Sequence, residues 1–134
     1  MFKFVFVYLL LIFSFQSFPA YAKWLEKDWN HLVCQHWQGK KEVWIDGGRV
    51  DCITRSYAIE TEYARKWQEA IGQSLYYSVV TGLKPGILVV KQSKKDDKYI
   101  ARLLRTIKHY RLPIRVWKVA KNQQNEIELT LILK

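Results

Sequence analysis

The chain has 134 residues, 22 of them Lys or Arg and 12 Asp or Glu, giving a formal net charge of +10. That length holds a single modest core and excludes a multidomain or repeat architecture. The basic balance favours polyanionic partners, meaning nucleic acid, anionic lipid or acidic polysaccharide.

Residues 1–22 read as a signal peptide. Met1-Phe2-Lys3 is a short positive start, Phe4 to Phe15 is almost wholly apolar, and Ala20-Tyr21-Ala22 is a small-x-small cleavage pattern. The apolar run falls short of the about 20 residues that a spanning helix needs. The mature chain is then a single domain, residues 23–134, exported to a periplasm or secreted. Loss of Lys3 leaves it with 21 basic against 12 acidic residues. Its two cysteines, Cys34 and Cys52, pair as one disulfide in an oxidising compartment, since no Cys-x-x-Cys or His cluster suggests a metal site.

Trp24 to Val33 has apolar residues at helical spacing, and Gly39 ends that helix. Glu42 to Asp46 reads as a strand, Gly47-Gly48 as a hairpin turn, and Arg49 to Thr54 as the returning strand. Tyr57 to Glu62 is a third strand. Ala64 to Thr81 is a helix with Gly82 as its C-terminal cap and Trp67, Ile71 and Leu75 as its apolar face. Lys84-Pro85-Gly86 reads as a turn, and Ile87 to Lys91 as a strand buried on both sides. Ser93 to Asp96 resembles a capping box opening a helix to about Tyr110, with Ile100, Leu103, Leu104 and Ile107 as its core stripe. Leu112-Pro113 stops it. Ile114 to Val119 and Glu126 to Leu133 close the chain as two more strands. The order predicts one α/β domain with a mixed sheet.

The chemistry concentrates between Gly47 and Tyr77. Side chains alternate along a strand, so Glu60 and Glu62 share a face, and Asp51 on the neighbouring hairpin strand can approach them. Acidic groups at strand ends suit Mg²⁺ or Mn²⁺, with Asp51 and Glu60 as the natural ligands. On the following helix, Lys66, Gln73 and Tyr77 fall within about 20° of one line, separate from the apolar face. Lys66 lies nearest the carboxylates, while Gln73 and Tyr77 orient substrate or the helix. Glu26, on the first helix, could reach the site but reads first as a solvated helix residue.

These residues carry a resemblance. Asp51, Ile59-Glu60-Thr61-Glu62 and Gln73-Ser74-Leu75-Tyr76-Tyr77, over roughly Trp24 to Lys91, resemble the PD-(D/E)XK nuclease superfamily. The Q-x-x-x-Y element is similar to that of its RecB-type branch. The resemblance implies a restriction-endonuclease-like core of helix, three strands, helix and strand. It also implies metal binding by Asp51 and Glu60, and hydrolysis of phosphodiester bonds in nucleic acid, with DNA the expected partner. Glu62 stands where that pattern has a lysine, and Lys66 is the residue that replaces its charge from the helix.

Among the remaining features, His31, His36 and His109 share no face, and no G-x-S-x-G elbow is present. The six tryptophans read mainly as packing, with Trp37 and Trp44 as weak candidates for base stacking. Lys98, Arg102, Arg105 and His109 line the outer face of the second long helix, read as a solvated face. The rival to a nuclease is a non-catalytic module on the same fold that binds nucleic acid or a protein partner. Glu62 is the residue that favours it.

Overall fold

The computed structural model describes residues 23–134, so the predicted signal segment lies outside the described residues. Helix α1 (Glu26–His36) is followed by strands β1 (Lys40–Ile45), β2 (Gly48–Ile53) and β3 (Tyr57–Tyr63). Then come α2 (Trp67–Thr81), β4 (Lys84–Lys91), α3 (Asp97–His109), β5 (Arg115–Lys121) and β6 (Ile127–Leu133). Single 3-10 turns, Ala64–Lys66 and Lys94–Asp96, lead into α2 and α3.

The six strands form one mixed sheet in chain order, β1-β2-β3-β4-β5-β6. The β1–β2, β2–β3 and β5–β6 pairs are antiparallel, while β3–β4 and β4–β5 are parallel. A parallel neighbour requires a crossover, and α2 and α3 supply the two. Both pack on one face, where Ala70, Ile100, Leu103 and Ile107 meet Ile87, Val89 and Val116 of β4 and β5. Helix α1 covers the other face through Trp29 and Val33, against Ile59, Leu88, Val90 and Val119. Strands β3 and β4, covered on both sides, are therefore apolar without alternation, apart from the residues taken up below.

Two expectations need correction. Lys84-Pro85-Gly86 is not a turn but the start of β4, with Pro85 opposite Ala58 in the parallel ladder. Gly86 belongs there because a Cβ would stand 2.9 Å from the Trp117 ring and 3.0 Å from Ile59. The first helix runs Glu26–His36, leaving Trp24 and Leu25 ahead of it; the Asp28 carboxylate accepts from Leu25 N–H at 2.8 Å. In α2, Trp67, Ile71 and Leu75 pack against the core as expected, partly buried, and Ala70, Ser74 and Tyr77 are buried outright. Gly82 caps α2 as expected, at φ 72°.

Cys34 and Cys52 form the expected disulfide, joining α1 to β2. Gly39 passes beside it so closely that a Cβ would lie 2.7 and 2.8 Å from the two sulfurs. Among the described residues, no helix is long and apolar enough to cross a membrane.

Candidate functional site

Strands β2 and β3 pair only through Cys52↔Ile59 and Ile53↔Ala58. One step further, the same register would set Asp51 opposite Glu60, but the ladder stops there. The Thr61 N–H that would have continued it instead donates to Asp51 Oδ2 at 2.8 Å. Asn30 of α1 holds both sides of the gap. Its Nδ2 donates to the Asp51 carbonyl at 2.8 Å, and its Oδ1 accepts from Thr61 Oγ1 at 2.8 Å. Asn30 is buried with both ends of its amide engaged, so the gap is a built feature of the fold.

Carboxylates converge on this gap. Glu60 and Glu62 are each only 5% exposed. Burial, with the charges of Asp51 and Glu62 behind it, pushes the Glu60 carboxyl up to about 10. Glu60 and Asp51 share a hydrogen bond, and burial also raises Asp51, against the pull of the Thr61 N–H. Burial pushes Glu62 up to about 8, helped by a hydrogen bond to Glu26 and by its charge, while Lys66 opposes. The acids thus stand as two pairs, Glu60 with Asp51 and Glu62 with Glu26. Without a counter-cation, crowding and burial favour the protonated form of both Glu60 and Glu62.

Lys66 reaches the cluster: its Nζ lies 3.7 Å from Glu62 Oε1, with 44% of its side chain exposed. The 3-10 turn at Ala64–Lys66 places it there, at the entry to α2. Tyr77 is buried beneath the β1–β2 hairpin, where a Cβ on Gly48 would stand 3.1 Å from its ring. Burial and the charges of Glu60 and Asp51 raise its phenol. Tyr77 therefore reaches the acids from below and locks helix to hairpin. Tyr76 beside it donates to the Asp46 carbonyl at 2.8 Å. The Gln73 amide oxygen is buried without a partner.

Sequence reasoning missed Asn30 and ranked Glu26 as solvated over reaching the site. Glu26, read as solvated, is half-buried and paired with Glu62. Asn30 follows it by four residues on the same helix face, so both turn toward the gap. A polar pair at that spacing next to Trp29 and Val33 was the available signal.

A divalent cation can be tested against this donor set. Glu60 Oε2 is a buried oxygen with no hydrogen-bond partner, the kind of atom a hard cation satisfies. The paired acids would exchange their shared protons for its charge. Among the described residues, no three His, Cys, Asp or Glu side chains stand ready-made as a metal site. The carboxylates face each other instead. An oxygen-ligated cation would require these side chains to turn away from their present pairings.

Comparison with known proteins adds partial likenesses. No family model matches the chain. It is 37% identical over 54 residues to a putative KilA-N domain-containing protein of Acanthamoeba polyphaga mimivirus, covering 40% of this chain and 15% of that protein. A second putative KilA-N domain-containing protein of the same virus is 34% identical over 61 residues, covering 46% of this chain and 25% of that protein. The chain thus spans a quarter or less of the length of these curated relatives. Among solved structures, SfsA of Pyrococcus furiosus in complex with Ca²⁺ aligns over 70% of this chain and 52% of its own, at 19% identity and TM-score 0.28.

Proposed function

We propose that the protein is an exported, metal-dependent nuclease-like protein of PD-(D/E)XK type that hydrolyses phosphodiester bonds of nucleic acid, with DNA the first substrate to test. The observation that carries the reading is the gap between β2 and β3. There Glu60 pairs with Asp51 and Glu62 with Glu26, Glu60 keeps a buried oxygen unpartnered, and Lys66 stands beside Glu62. The net charge of +10 suits a polyanionic substrate.

Asp51 and Glu60 are the residues that would hold Mg²⁺ or Mn²⁺. A bound ion of this kind supplies polarisation of the phosphoryl oxygen and a lower pKa for an attacking water. The chain's own groups do the rest. Asn30 fixes the Asp51 backbone and Thr61, so the two metal-binding strands keep their separation. Glu62, pushed up to about 8, sits where a carboxyl both takes and returns a proton near neutral pH. The Lys66 ammonium, partly exposed beside Glu62 Oε1, offsets charge growing on the phosphate. Tyr77 holds α2 against the hairpin, and the unpartnered Gln73 amide is left to orient substrate.

Two observations favour the non-catalytic binding module: Glu62 occupies the usual lysine position, and among the described residues no ready-made three-ligand metal site is present. One assay separates the readings. The purified, oxidised protein is incubated with linear DNA, circular DNA and RNA in Mg²⁺, Mn²⁺ or EDTA, with Glu60→Ala in parallel. Metal-dependent cutting that disappears in Glu60→Ala supports the nuclease. A folded protein that binds but does not cut with either metal supports the module.

A further inference from the structure

One residue beside the carboxylate gap has no structural work. Trp44 on β1 is 77% exposed, although a buried tryptophan would contribute far more to stability. A single exposed ring is ordinary by itself. Its surroundings are not. Trp44 pairs across the hairpin with Arg49, whose guanidinium lies 5.6 Å from the ring centroid. Arg49 is in turn held 3.6 Å from Glu42 Oε1, which limits its swing. Arg49 lines the same narrow cleft as Asp51, Glu26 and Lys27. It stands two residues before Asp51 along β2, about 7 Å along an extended strand. An open aromatic face, a cation steadied against it and a second cation, Lys27, therefore flank the acidic gap at its outer edge.

We propose that Trp44 and Arg49 form a stacking platform for an unpaired base of a single-stranded nucleic acid, next to the phosphodiester presented at the carboxylate gap. This rests on the nuclease-like reading for the nature of the polymer and adds the class of substrate. A base inside a duplex has both faces covered by its neighbours, whereas an unpaired base offers one to Trp44. Arg49 and Lys27 meet the phosphates on either side. The hairpin is rigid enough to present the ring, since Tyr76 holds the Asp46 carbonyl and Tyr77 packs under Gly48. Stacking of this kind tolerates any base, so the platform selects strandedness and not sequence.

The test is equilibrium binding by the full, oxidised protein in EDTA, which prevents metal-dependent cutting. The probes are a fluorescein-labelled oligothymidylate of about 12 nucleotides and a duplex of equal length. The single strand is expected to bind more tightly than the duplex. Trp44→Ala is expected to weaken the single strand roughly tenfold while changing the duplex less than about twofold, and Trp44→Phe to retain most of the binding. Equal single-strand binding by wild type and Trp44→Ala would overturn the platform, as would parallel losses on both probes or a wild-type preference for duplex. The cleavage assay reports separately. Cutting without Trp44-dependent binding removes the platform and keeps the nuclease, and Trp44-dependent binding without cutting does the reverse.

Discussion

Replacing Glu60 with glutamine keeps the shape of the side chain and removes its charge, and in metal-free buffer the variant should be more stable than wild type at neutral pH. The sign follows from the direction of the shift. Glu60 is raised from 4.5 to about 10 in the folded protein. Within that window the native state holds more protons than the unfolded chain, so stability is full below about pH 4.5 and falls as pH rises. At about 1.4 kcal/mol per pH unit, the loss from one such group between pH 4.5 and 7 approaches about 3 kcal/mol. Glutamine removes this loss while leaving an amide that donates to Asp51 where the protonated acid did. A gain of about 2–3 kcal/mol at pH 7 corresponds to a rise in Tm on the order of 10 °C for a domain of this size. The assay is thermal unfolding by circular dichroism in EDTA across roughly pH 4 to 8. The two proteins should coincide at the acid end and diverge upward. A Glu60→Gln variant less stable than wild type at pH 7, or a difference that does not grow with pH, would refute the description of a strained acidic gap.

If Mg²⁺ binds Asp51 and Glu60, it must displace the proton on Glu60; titration in weakly buffered solution near pH 7 should release acid, and affinity should rise with pH. Reduction of Cys34–Cys52, or Cys34→Ser with Cys52→Ser, should lower stability by about 3 kcal/mol on the loop-entropy model, read from the urea midpoint. Asn30→Leu leaves the Asp51 carbonyl and Thr61 Oγ1 without their partner and should cost about 2–4 kcal/mol in the same measurement. Gly47→Ala imposes a Cβ at φ 77°, 2.5 Å from the Tyr76 phenol oxygen. It should cost about 1–3 kcal/mol, with part recovered when Tyr76→Phe is added.

Local chemistry wrote much of this fold into the sequence. Hydrophobic spacing, the Gly47-Gly48 turn, the Gly82 cap and the Cys34–Cys52 pair each act over a few residues or one covalent bond, and the structure contains all of them. The alternation rule put Glu60 and Glu62 on one face, and the short step from Glu62 into the turn ahead of α2 brought Lys66 beside them. Longer-range facts were not legible. Pro85-Gly86 reads as a turn because its strand identity comes from Ala58 opposite Pro85 and from the Trp117 ring against Gly86. Glu26 reads as a surface residue because only the angle of α1 across the sheet turns it toward Glu62. The burial of Ser74 and Tyr77 on α2 was likewise not legible, since it depends on the strands and hairpin that the helix meets.

The agreement of sheet order with chain order bears on how the molecule is made. Each new strand joins beside the last one laid down, so no strand must be threaded between two already in place. In synthesis from the N-terminus, α1, β1, β2 and β3 emerge before β4, and for that interval β3 is the growing edge. An apolar strand with a bare edge invites pairing with another chain. Glu60 and Glu62 sit on that strand, and side-chain charge there discourages such pairing until Ile87 and Val89 arrive opposite them. The residues that strain the finished protein thus also guard the unfinished one against aggregation.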